Sequence, residues 1–91
     1  MIELKRETIE LIKQIYSKHP TGGALHVVLD DDNVDESSIR WCLENAMQYE
    51  EYTDDDRDLF IRCADNLLKL GSKGMRLFCI KKAFKEMSEG V

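Results

Sequence analysis

A chain of 91 residues, with apolar residues at 43% and charged residues at 34%, has material for one modest hydrophobic core, which excludes two domains and disorder throughout. No apolar run approaches the roughly 20 residues that cross a bilayer. Met1-Ile2-Glu3-Leu4-Lys5-Arg6-Glu7 carries acids where a secretory leader is basic and then apolar, so a cytoplasmic chain is expected. The net charge of −5 hides a segregation, with +1 on residues 1–29, −10 on residues 30–58 and +4 on residues 59–91.

Residues 2 to 18 read as a first amphipathic helix. Leu4, Leu11, Ile12 and Ile15 share a face flanked by Ile9 and Tyr16, and Pro20 ends the run because it disfavours helical geometry at His19. An insert at residues 20–33 follows, the one stretch without a clear helical pattern. After the turn at Thr21-Gly22-Gly23, Leu25, Val27 and Leu29 alternate with Ala24, His26 and Val28, and the valines favour an extended chain, so the spacing predicts a strand over 24–29. A lone strand leaves backbone groups unpaired, which points to pairing with the same strand of a second subunit as a homodimer.

Asn33 or Asp35 is expected to cap a second helix from Glu36 to Tyr49, with Ile39, Cys42, Leu43, Ala46 and Met47 inward and Trp41 off the stripe, covering the insert. Thr53-Asp54-Asp55-Asp56 has the form of a capping box for a third helix to Leu70. That helix buries Leu59 or Phe60, Cys63, Ala64, Leu67 and Leu70, and Gly71 stops it. Ser72 caps a fourth helix to about Ser88, with Leu77, Ile80, Phe84 and Met87 inward, Met75, Phe78 and Ala83 beside them, and Arg76, Lys81, Lys82 and Lys85 projecting. The fold class is therefore mostly α (α+β): about four amphipathic helices around one core, with a single short strand and loop insert at residues 20–33, in one domain over 1–91.

The insert holds both histidines and the only proline, so chemistry is sought there first. His19, His26, Asp30 and Asp31 are metal-ligand types, but His26 and Asp30 lie roughly 13 Å apart on a strand, too far to share an ion. The bland alternative is a turn histidine and a hydrogen-bonded one. Asp31, Asn33 and Asp35 match the start of a calcium loop, yet Glu36 stands where glycine is needed and Cys42 where glutamate is needed, so a helix cap is the better reading. Thr21-Gly22-Gly23 lacks the lysine and the following helix of a phosphate loop. Cys42, Cys63 and Cys79 are odd in number, widely spaced and on apolar stripes, which suits buried thiols rather than disulfides, zinc or a nucleophile. No catalytic constellation and no cofactor are expected.

His19-Pro20-Thr21-Gly22-Gly23-Ala24-Leu25-His26-Val27-Val28-Leu29-Asp30-Asp31, with Asn33-Val34 and Ser38-Ile39-Arg40-Trp41-Cys42-Leu43, resembles a pattern in small bacteriophage and prophage proteins of no assigned activity. The resemblance covers about a quarter of the chain, residues 19–43. It implies a bacterial host cytoplasm and a protein that works by contact, binding and blocking a host protein.

A surface bearing Asp30, Asp31, Asp32, Asp35, Glu36, Glu50, Glu51, Asp54, Asp55, Asp56 and Asp58 is able to imitate a phosphate backbone and engage a basic partner. The expectation is a non-enzymatic protein–protein interaction module, an inhibitor or regulator of a host nucleic-acid-handling protein. The alternative is a metal protein or small enzyme centred on His19, His26, Asp30 and Asp31. Membrane partners are not expected, and DNA binding by the basic last helix is disfavoured by the net charge.

Overall fold

The computed structural model describes residues 2–48 and 51–90. α1 (Ile2–Lys18) buries Ile9, Leu11, Ile12 and Ile15, as its periodicity predicts, and also Thr8, whose hydroxyl donates to the Leu4 carbonyl at 2.7 Å. That bond inside the helix lets a hydroxyl enter the core without losing a partner. His19 closes the helix with a last backbone bond to Ile15.

The predicted strand over 24–29 is absent: the chain forms a 3-10 turn at Gly23–Leu25 and a short helix, α2 (His26–Leu29), and no described residue is in a strand. The physical reason lies in the turn. Gly22 and Gly23 sit at φ 86° and 54°, a left-handed pair that reverses the chain tightly, and the amides that follow bond locally, Leu25 to Gly22 and Asp30 to His26. A strand would have needed a ladder partner, and none is present among the described residues. Ala24, Leu25, Val28 and Leu29 are buried, a helical stripe that an alternating reading splits between two faces. Burying valine and leucine side chains such as Leu25, Val28 and Leu29 stabilises by about 1.5–3 kcal/mol each, so the insert is part of the core. Dimerisation by pairing residues 24–29 loses its premise, because a helical turn presents no ladder edge.

Asp35 caps α3 (Glu36–Ala46), its carboxylate accepting from the Ser38 amide at 2.7 Å. The helix stops at Ala46, short of the expected end, and Met47, expected inward, is 68% exposed in the turn that follows; Tyr49 lies outside the described residues. Val34, inside the acidic loop, is fully buried and pins that loop to the core.

α4 (Asp54–Leu70) begins with the predicted capping box. The Asp56 amide donates to Thr53 Oγ1 at 3.1 Å and the Thr53 amide to Asp56 Oδ2 at 3.3 Å. It buries both Leu59 and Phe60, with Cys63, Ala64, Leu67 and Leu70, and Gly71 ends it.

Ser72 caps α5 (Lys73–Glu89), accepting from Met75 at 3.2 Å, but the buried face is rotated from the expected one. Arg76, Cys79, Ile80 and Ala83 face inward, Leu77, Phe84 and Met87 are half-buried, and Phe78 is exposed. Arg76, expected to project, instead reaches the Val34 carbonyl at 3.4 Å beneath the acidic loop.

α4 occupies the middle, with α3 and α1 packed on it and α5 packed chiefly on α1. The insert lies against α3 and α4. No helix among the described residues is long and apolar enough to cross a membrane.

Candidate functional site

The glycine turn is set in place by aromatic side chains. A Cβ added to Gly22 would stand 2.8 Å from the His26 backbone and from Tyr16 Oη, and one on Gly23 would stand 2.8 Å from Phe60 Cζ, so only bare backbone fits. Phe60 is fully buried and meets Tyr52 at 5.0 Å and His19 at 5.3 Å between ring centroids. His19 also meets Tyr52 edge-on at 5.5 Å. From α1, Tyr16 packs edge-on against Phe84 at 4.9 Å and donates its hydroxyl to Asp30 Oδ1 at 2.6 Å. Burial, and then that carboxylate, push the Tyr16 phenol above its ordinary range.

The four candidate metal ligands each have a different occupation. His19 Nε2 stands 3.4 Å from Asp56 Oδ1, an ion pair when the ring is protonated. His26 Nδ1 lies 3.1 Å from the Gly23 carbonyl; because a carbonyl only accepts, this nitrogen carries the proton. Asp30 takes the Tyr16 hydroxyl, and Asp31 accepts from the Asn33 amide at 2.9 Å. Among the described residues no three His, Cys, Asp or Glu side chains converge closely enough to hold a metal ion.

The three thiols are buried. Cys42 donates to the Ala24 carbonyl at 3.2 Å, joining α3 to the insert, and burial pushes its thiol up to about 11. Burial raises Cys63 and Cys79 as well, so none has the thiolate character that nucleophilic chemistry requires.

The acidic positions divide by what they do. Asp35 caps α3, and hydrogen bonds from Ser38, with the charges of Arg76 and Lys73 behind them, hold its carboxyl below the usual range. Burial works against ionising Asp56, but its bonds to Thr53 and His19 outweigh it and keep the carboxyl low. Glu36 pairs with Arg40, Asp54 with Arg57 and Asp58 with Arg62, each within one helical turn. Asp32, Glu51 and Asp55 are exposed and have no partner among the described residues; Glu50 lies outside them.

One feature is invisible in the sequence pattern. Val27 and Trp41, each 48% exposed, face a shallow groove of about 420 Å³ completed by Ser37 and Ser38. Helical geometry accounts for it. With Ala24, Leu25, Val28 and Leu29 turned inward, Val27 must point out, and α3 turns Trp41 away from the buried Ile39–Cys42–Ala46 stripe toward it. Trp41 thus stands beside the insert, where the sequence reading put it, but as a groove wall rather than a cover. Had 24–29 been read as helix, the outward position of Val27 would have followed.

No family model matches this chain, and neither does any curated protein or any solved structure.

Proposed function

We propose that the protein works by contact rather than by chemistry: a non-enzymatic interaction module that holds a basic protein surface in the Val27–Trp41 groove and so blocks or regulates a bacterial factor that handles nucleic acid. The observation that carries this reading is the groove itself. A fold of this size has little apolar area to spare, yet it leaves Trp41 and Val27 half in water on adjoining elements. Tryptophan anchors dominate binding energy when a partner desolvates them. The acids of the neighbouring segment suit a basic partner, steering it at long range while the aromatic contact retains it. The candidates for chemistry favour the same reading: His26 contacts the Gly23 carbonyl in the turn, His19 faces Asp56, and the thiols are sealed in the core. A bacterial partner is the choice that the resemblance of residues 19–43 to small phage proteins favours.

The test is capture from bacterial lysate by immobilised full-length protein. A specific partner is expected with the natural chain, weakened by salt and lost with Trp41→Ser. Capture that is indifferent to both Trp41→Ser and salt would sink the proposal.

A further inference from the structure

At the other end of the packing order lies a second exposed aromatic in opposite electrostatic surroundings. Phe78 on α5 is 53% exposed, and Lys5 Nζ stands 5.6 Å from its ring centroid. Lys81, Lys82 and Lys85 follow at three, four and seven residues, which places them on the same helical face. Two shallow grooves of about 320 and 260 Å³ flank the ring and share Lys82. The other cations of the chain are largely engaged: Arg6, Lys13, Lys18, Arg40, Arg57, Arg62 and Lys69 all face carboxylates. Lys81, Lys82 and Lys85 have no ion pair among the described residues, although acids outnumber bases in the chain, 18 to 13. Uncompensated cations are therefore concentrated around this ring.

The Val27–Trp41 groove is its complement. Asp30, Asp31 and Asp32 follow α2, Glu36 precedes Ser37, and Glu44 lies one turn beyond Trp41 on α3. Asp30 is engaged by Tyr16, Asp31 by the Asn33 amide and Glu36 by Arg40, so exposed Asp32 and Glu44 are the carboxylates without a partner among the described residues beside this groove, whereas unpaired lysines flank Phe78. α3 packs chiefly on α4 and α5 chiefly on α1, so the two surfaces lie on helices that share little contact.

We propose that the groove is filled by a second copy of this chain, which enters with the Phe78–lysine stripe of α5, so that copies associate head to tail. The inference rests on the reading of the groove as a docking site for a basic surface, and it adds an occupant that competes there with the host factor. Phe78 lies against Trp41 and Val27, and Lys81, Lys82 and Lys85 meet the carboxylates around them. The contact is heterologous, so each dimer keeps one open groove and one open stripe and is able to add further copies. With shallow grooves on both sides and charges at the rim, association is weak and salt-sensitive.

The test uses sedimentation velocity together with the emission of Trp41, the only tryptophan, on the full chain at rising concentration. The natural chain is expected to sediment faster and emit further to the blue as concentration rises through the range of roughly 10–500 μM typical of weak contacts. Phe78→Asp and Trp41→Ser are each expected to weaken association at least tenfold, with unchanged circular dichroism. Mixed together, they form a 1:1 dimer and nothing larger, because each retains the one face the other lacks. A natural chain that stays monomeric, association that survives Phe78→Asp, or a mixture that fails to dimerise would each overturn the proposal. A monomeric chain that still captures a lysate protein through Trp41 sinks this inference and leaves the docking site standing, whereas capture and self-association that both ignore Trp41→Ser sink the two together. If the chain stays monomeric but binds labelled oligothymidylate through Phe78, the stripe serves single-stranded nucleic acid and the head-to-tail contact is wrong.

Discussion

Gly22→Ala tests the claim on which the site rests, that the insert is a tight helical turn packed against α3 and α4. At φ 86° an L-residue is disfavoured by about 1–2 kcal/mol. The added methyl would also stand 2.8 Å from His26 Cα, Cβ and Tyr16 Oη, and a backbone atom cannot retreat as a side-chain tip does. Overpacking of this kind costs about 1–3 kcal/mol, so the loss should be about 2–5 kcal/mol, a large share of the roughly 5–15 kcal/mol that holds a domain together. With a urea slope of about 1.5 kcal/mol/M, the midpoint should fall by about 1–3 M, followed by Trp41 emission and by circular dichroism. Gly74→Ala is the internal control. Its new Cβ meets nothing within 4 Å on an exposed helical turn, so it should stabilise by about 0.5–1 kcal/mol. A Gly22→Ala loss below about 0.5 kcal/mol, or equal losses for both variants, would refute the local geometry.

Three further outcomes follow from single contacts. Thr53→Ala removes one half of the capping box and should lower stability by about 1 kcal/mol in the same melt, with little change in the spectrum. Cys42, Cys63 and Cys79 should resist a thiol reagent at neutral pH and react together, at a rate set by opening of the fold; one immediately reactive thiol would show that the core is packed differently. Arg6 first, and then Lys13, hold the Glu86 carboxyl down at about 2 from its ordinary 4.5. The pairing therefore stabilises fully above pH 4.5 and is lost as pH falls toward 2, and Glu86→Gln should flatten the acid limb of the stability curve in that window.

How much of this was legible from residues alone depends on whether a segment supports one period or two. α1 and α4 carry long 3.6-residue patterns with side-chain caps or a proline at their ends, and both came out within a residue or so of the expected bounds. Residues 24, 25, 27, 28 and 29 are apolar and fit either a strand or a helix, and the valines tip a local reading toward strand. What decides is non-local: no second strand exists among the described residues to pair with, and the left-handed glycine pair hands the chain directly into a turn. In α5 the bulky residues point to a face rotated from the buried one. The fold instead turns inward the small Cys79 and Ala83 and the stem of Arg76, whose head finds the Val34 carbonyl. The groove was out of reach for a different reason, since Val27 and Trp41 belong to separate elements and face a common space only after both helices are oriented.

That division bears on how the acidic segment should behave in binding. Of the acids expected to form one surface, Asp35, Asp54 and Asp56 sit at helix starts, where carboxylates satisfy free amides and the positive end of the helix. Glu36 and Asp58 are paired along their own helices. Much of the negative charge of residues 30–58 is thus accounted for by local structure, and the carboxylates left without partners, Asp32 and Asp55 among them, are exposed. Exposed charges of this sort act mainly on the approach of a partner, while a desolvated aromatic governs how long it stays. For the partner that the groove captures, Asp32→Lys with Asp55→Lys should slow association severalfold and flatten its salt dependence, leaving dissociation nearly unchanged. Trp41→Ser should do the reverse, raising the dissociation rate at least tenfold, as read by surface plasmon resonance at two ionic strengths. If the charge reversals instead accelerate dissociation as strongly as loss of Trp41 does, the carboxylates are themselves the gripping contacts, and the acidic surface rather than the groove is the site.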